Sequence, residues 1–239
     1  MPKTGSTKPL KPRGPKPAKV DTDRILEAAR RVFSLEGLKG SSIRAIAREA
    51  GCDPALIYYH FDSKETMFLA LVERKIAPLA VDLAALSTPA DLRPSSLRLW
   101  DVLQTYKAHF SCDAGFRSML RGEILRGAEG TRDAMAAHIR RSAGNIWEIL
   151  RQGQARGDLR PDLHPPLVTF FFIRTYMEIL DLIPVMGPRV DLVDPAQALP
   201  AAERAWFRLF WRGVAADSAL VLPPGPWDEN PGPDRPEHP

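Results

Sequence analysis

Apolar side chains in this chain recur at helical rather than strand intervals. Ile25, Ala28, Ala29, Val32 and Phe33 fall at i, i+3, i+4, i+7 and i+8, which lays them along one face of a helix. Gly37 follows as a stop signal. Ile43, Ile46, Ala47 and Ala50 make a second, shorter stripe closed by Gly51. Asp53 followed by Pro54 reads as an N-cap with proline at the first helical position, where its missing N–H costs nothing. That predicts a short helix over about 54–59. Asp62 and Glu65 have capping-box spacing ahead of Met67, Phe68, Leu71 and Val72. No alternating run suited to a strand appears, so an all-α fold follows.

Longer helical segments are predicted at 95–110, 115–126, 131–156, 166–185 and 200–221, divided by glycine- and proline-rich breaks. Together these make about nine helices: an N-terminal three-helix helix-turn-helix domain over 21–75 and a C-terminal helical bundle over 76–222. Residues 1–20 hold six basic residues, five prolines and no acid, too little apolar surface to offset ordering, and are expected to be a disordered basic arm. Such an arm is either a solubilising tail or a segment that lies along DNA. Seven of the 17 residues in 223–239 are proline, and this tail is also expected to be disordered.

Charge is uneven. Residues 1–75 carry 15 Lys and Arg against 9 Asp and Glu, a net of +6, whereas the remainder holds 18 against 20, a net of −2. A basic front suits a polyanionic partner. No apolar run approaches the length of a membrane span, and the basic start has no apolar stretch behind it to form a secretory signal. Two cysteines, Cys52 and Cys112, are too few for a disulfide framework. These features predict a reduced, cytoplasmic protein without membrane contact. His109, His138 and His164 lack metal-ligand spacing. Phosphate loops, dinucleotide glycine patterns and nucleophile motifs are absent, so no metal, cofactor or enzymatic activity is expected.

Residues 42–61, SIRAIAREAGCDPALIYYHF, have helix-turn-helix arithmetic. Small Ala47 lets the second helix cross the first closely, and Gly51 opens the turn without steric cost. The second helix presents Ala55 and Leu56, short enough for a helix to sit deep in the major groove. Tyr58, Tyr59, His60 and Lys64 are placed to reach phosphates on either side. Ser42 is an N-cap, a phosphate donor, or both. Arg44 is a candidate for a base edge or a phosphate, or a solvated arginine; Leu56 can at most meet a thymine methyl.

These residues resemble a known family. Ile25-Leu-Glu-Ala-Ala, Phe33, Gly37, Ile46-Ala47, Ala50-Gly51 and above all Ile57-Tyr-Tyr-His-Phe-Asp-Ser-Lys-Glu65 look like the DNA-binding domain of tetracycline-repressor (TetR) type regulators, over about residues 21–75. Cys52 stands where that family usually has an aliphatic residue, and Asp53 where it usually has Ser. More loosely, residues 149–163, ILRQGQARGDLRPDL, resemble a stretch of its ligand-binding half. The resemblance implies a homodimeric transcriptional regulator, by family habit a repressor, reading a double-stranded DNA operator with one recognition helix per subunit. It further implies dimerisation through the last two long helices and a pocket for a small-molecule effector that weakens DNA binding by linkage. A DNA-binding dimer with no effector, its rear bundle serving dimerisation or a protein partner, is the alternative.

Among the large rear-domain side chains, Trp100, Tyr106, Phe110, Trp147, Phe172 and Tyr176 are candidates to line an apolar cavity, or are simply core. Arg174, Glu178 and Asp181 read first as a solvated stripe with a helical ion pair. Trp206, Phe207, Leu209, Phe210, Trp211 and Val214 make the last helix apolar over much of its circumference, which suits a partner interface.

Overall fold

The computed structural model describes residues 22–189, 198–217, 221–222 and 224–228. The basic arm therefore lies outside the described residues. Nine α-helices follow in order among the described residues: α1 (Thr22–Gly40), α2 (Ile43–Ala50), α3 (Pro54–His60), α4 (Lys64–Leu86), α5 (Ser95–Phe110), α6 (Ala114–Arg126), α7 (Glu129–Arg156), α8 (Pro165–Met186) and α9 (Ala198–Val214). The only extended pairing among them is an isolated antiparallel bridge between Leu159 and Ala215.

The predicted stripes face inward. Ile25, Ala28, Ala29 and Phe33 of α1 meet Ile46, Ala47 and Ala50 of α2, and Ile57 of α3 closes this small core. Two local expectations change. Gly37 does not end α1; at φ 71°, ψ 167° it kinks the chain, and one further turn runs to Gly40. The capping box at the start of α4 is Ser63 with Thr66, not Asp62 with Glu65. Ser63 is the extended residue, its Oγ accepts from Thr66 N at 3.1 Å, and Thr66 Oγ1 accepts from Ser63 N at 3.1 Å.

A boundary at residue 75 falls inside a helix. α4 runs unbroken through it: Met67, Phe68 and Val72 pack in the head, whereas Ile76, Leu79 and Leu83 pack in the bundle. The head also rests on α6. Asp113 caps α6 by accepting from Phe116 N at 3.0 Å, and its carboxylate receives Arg30 of α1 at 3.1 Å and Lys75 of α4 at 3.8 Å. Gly115 permits this approach, since a Cβ there would lie 2.9 Å from Ser34 Oγ of α1. Lys75 further sits over the rings of Phe110 and Phe116, at 5.6 and 5.9 Å from their centroids.

The expectation of a disordered tail over 223–239 fails at its one large apolar residue. Trp227 is 0% exposed, stacked on Phe207 at 5.3 Å between centroids and edge-on to Trp100 at 5.9 Å. Proline content argues against regular structure but leaves an indole free to fill a gap in a bundle. Trp227→Ala should therefore lower stability by roughly 3–5 kcal/mol, measured by urea unfolding, and truncation after residue 222 should act in the same direction.

Candidate nucleic-acid interface

The site is built around a helix too short to be stable alone. α3 spans seven residues, well below the ~12–15 that an isolated helix needs in water. Its surroundings hold it. Gly51 adopts φ 63°, ψ 40°, the left-handed conformation that reverses the chain after α2. Asp53 accepts from Ala55 N at 2.8 Å to cap the start of α3, with Pro54 at its first turn. At the other end Phe61 N donates to Ile57 O at 2.8 Å. Ser42 caps α2 by accepting from Ala45 N at 3.1 Å. The departures at Cys52 and Asp53 are thus both accommodated, Cys52 half-buried and Asp53 as cap.

Burial sorts the candidate residues. Ile57 is the inward anchor of α3, fully buried. Ala55, Tyr58, Tyr59 and His60 are exposed, with the two tyrosines at 59% and 83%. Tyr59 and His60 meet edge to face at 5.1 Å, and His60 Nδ1 lies 3.4 Å from Thr22 Oγ1 at the start of α1. Leu56 is half-buried against the head core. Ser42 and Arg44 are exposed at the start of α2. Arg48, one turn beyond Arg44 and exposed on the same side of α2, was not singled out by sequence reasoning, although its i+4 spacing marks it.

Lys64 has partners within the head. It is half-buried, and its ammonium donates to Lys39 O at 3.2 Å and Ser41 O at 3.1 Å, at the end of α1.

Five of the six candidate ligand-lining residues stand in ring clusters. Tyr106 and Phe110 stack with each other and Phe110 with Phe116; Trp100 joins Phe207 and Trp227; Phe172 packs on Trp206 and Phe210, and Tyr176 on Trp206. Trp147 is half-buried, with an indole N–H that has no protein acceptor. Burial pushes the Tyr106 and Tyr176 phenols upward, and for Tyr176 the neighbouring Glu203 carboxylate adds to it. Tyr176 donates to Glu203 Oε1 at 2.8 Å, and Lys107 donates to Glu203 Oε2 at 2.7 Å. The Arg174–Glu178 pair forms as predicted, at 2.8 Å. Asp181 instead turns inward, receiving Arg117 at 2.6 Å and Arg121, and so pins α8 to α6.

No metal-capable group of three His, Cys, Asp or Glu occurs among the described residues, and none of their helices is long and apolar enough to cross a membrane.

The sequence profile of bacterial regulatory proteins of the tetR family matches residues 25–71, from the buried stripe of α1 to the first turns of α4. The chain belongs to the TetR family. Among its relatives, the transcriptional repressor NicS of Pseudomonas putida is 32% identical over 152 residues, covering 59% of this chain and 66% of NicS. The transcriptional regulator UidR of Escherichia coli is 27% identical over 165 residues, covering 66% of this chain and 80% of UidR. The fold matches that of the transcriptional regulator FadR from Bacillus subtilis, crystallised with stearoyl-CoA, with a TM-score of 0.66 at 18% identity over 81% of this chain and 99% of FadR. These relatives are transcriptional regulators, not enzymes.

The cap at Asp53 can be isolated experimentally. In this TetR-family head, Asp53→Ala should cost about 1 kcal/mol and Asp53→Asn close to nothing, with amide exchange across α3 as the readout.

Proposed function

We propose that this chain is a homodimeric, sequence-specific transcriptional repressor that reads a near-palindromic operator with one α3 per subunit and is released by a small, largely hydrophobic effector. The observation that carries the DNA reading is α3 itself. Its inner side is anchored by Ile57, while Tyr58 and Tyr59 stand 59% and 83% exposed. In this reading Ala55 and Leu56 approach base edges. Ser42, Arg44, Tyr58, Tyr59, His60 and Lys64 contact phosphates or bases. The protein acts in the cytoplasm, nucleoid-associated when bound to DNA.

The dimer reading is supported by the outer face of α8 and α9. Leu167, Phe170, Phe171, Leu182, Val185 and Leu209 are all more than half exposed. A row of this kind spanning two helices marks a protein interface rather than scattered surface apolarity. Within α9, Phe207, Trp211 and Val214 are already buried in the same chain, which leaves Leu209 and the edges of Trp206 and Phe210 for a partner.

Support for an effector comes from FadR, a fold relative that holds stearoyl-CoA, and from the aromatic interior of the bundle. Trp100, Tyr106, Phe110, Trp147, Phe172 and Tyr176 remain the proposed lining, which requires their ring clusters to part. The same close stacking favours the second reading, a DNA-binding dimer whose bundle serves only assembly. Recovery of bound duplexes from a random pool, then release assays with hydrophobic compounds, separates the two.

Selection at a stated salt concentration should return a palindromic consensus; sequence-blind binding would defeat the operator reading. Arg44→Ala or Tyr58→Phe should weaken that binding, and each lost phosphate contact should flatten the dependence of log K on log salt, by about 0.9 for an ionic one. Phe171→Glu with Leu209→Glu should convert the dimer to monomers in sedimentation equilibrium.

A further inference from the structure

We infer that one flank of α9 is a docking ridge for the acidic segment that follows Trp227 in the same chain, with Arg204, Arg208 and Arg212 taking its carboxylates as counter-ions. The ridge and its occupant are independent of operator and effector.

Arg204, Arg208 and Arg212 recur at i, i+4 and i+8, so their side chains share one flank of α9. Arg208 and Arg212 are exposed and Arg204 is half-buried. α8 packs on a different flank, through Trp206 and Phe210, while Phe207, Trp211 and Val214 face the core. Elsewhere in the bundle Arg93, Arg117, Arg121, Arg160 and Arg174 each form an ion pair. The three on α9 form none among the described residues. Glu203, the acid of α9, is buried and taken by Lys107 and Tyr176. Asp217 lies beside Arg212 in an open cleft without pairing with it. Like charges four residues apart on a helix repel, so an acidic neighbour stabilises the row. The flank is open to one: Ala205 is small and exposed, and a Cβ on Gly213 would meet nothing within 4 Å.

Charge and length choose the occupant. Residues 228–239, DENPGPDRPEHP, carry Asp228, Glu229, Asp234 and Glu237 against Arg235, a net of −3 with His neutral. Trp227 fixes where this segment starts. It is fully buried and stacked on Phe207, which lies between Arg204 and Arg208 in α9. Asp228 closes the turn before it, accepting from Gly225 N at 3.0 Å, which leaves Glu229, Asp234 and Glu237 for the ridge. Proline-rich chain extends about 3.1 Å per residue, so the stretch from Asp228 to Glu237 reaches roughly 28 Å. The ridge from Arg204 to Arg212 is about 12 Å long. A tether that begins beside the ridge also gives these carboxylates a high effective concentration, which an unlinked acidic partner lacks.

A nitroxide on residue 238 of the full chain (His238→Cys, with Cys52→Ala and Cys112→Ser) reports docking through the amide signals it broadens in nuclear magnetic resonance. A segment held only at Trp227 would range roughly 20 Å from it and broaden signals around Trp100 on α5 as much as those on α9. Docking concentrates the loss of signal at residues 204–212. That concentration should vanish in Glu229→Gln/Asp234→Asn/Glu237→Gln and in Arg204→Gln/Arg208→Gln/Arg212→Gln. It should vanish also at about 1 M salt, where charges are screened within about 3 Å. Equal broadening of α5 and α9 overturns the inference, as does a concentration at α9 that survives neutralising the acids. Broadening seen only between spin-labelled and isotope-labelled chains mixed together overturns it too, by making a second copy the occupant. If the chain without its native cysteines does not fold, the arginine Nε signals of the otherwise wild-type protein decide. Those of Arg204, Arg208 and Arg212 should move when Glu229, Asp234 and Glu237 are neutralised; unchanged positions refute docking.

Discussion

The rest of the structure depends on the continuity of α4. Its 23 residues form a rod of roughly 35 Å at 1.5 Å per residue, and it is buried at one end in the head and at the other in the bundle. Pro78 removes one backbone hydrogen bond near its middle; the remaining ones, with burial of both ends, oppose independent bending of the two halves. Displacement of Ile76, Leu79 or Leu83 in the bundle therefore moves Met67, Phe68 and the Ser63 cap in the head. The ionic joint at Asp113 adds a second tie, because one carboxylate holds α1 through Arg30, α4 through Lys75 and the first turn of α6. Head and bundle share one core, which is the physical condition for a change in the bundle to be felt at α3.

At the far end of that rod, order is imposed on an element that could not hold itself. α3 has one buried residue, Ile57, and presents most of its remaining surface to solvent. Caps, a left-handed glycine and the contacts of Lys64 with Lys39 O and Ser41 O supply what burial does not. A recognition surface needs this economy: side chains that are to meet DNA cannot also be packed in the protein, so the helix bearing them must be positioned by its ends.

The local elements were legible because they follow from near-neighbour chemistry. Helical periodicity placed α5 to α8 within a few residues, Asp53-Pro54 and Ser42 signalled their caps, and Gly51 its turn. The candidate site was legible as a set of residue types, and exposure of Ala55, Tyr58, Tyr59 and His60 fits that set. Less visible were features that depend on distant partners. Asp62 and Glu65 have the same capping-box spacing as Ser63 and Thr66 in outline, and only the extended backbone at Ser63 selects between them. Asp181 looks solvated on its own helix, yet Arg117 and Arg121 reach it from another. Trp227 sits in a proline-rich stretch that composition reads as disordered, and its burial depends on the ring surface that Trp100 and Phe207 make together.

The sequence by itself determined that this chain is helical throughout its apolar stripes, that residues 42–61 form a helix-turn-helix, and that the family is TetR, because periodicity, capping and a contiguous motif are properties of neighbouring residues. Tertiary structure alone decided that no boundary divides α4, that Lys64 turns toward α1, and that the apolar circumference of α9 splits into a buried face and an outer one. Each of those outcomes is set by which surfaces meet across long stretches of chain, and side-chain spacing along one element carries no information about what packs against it.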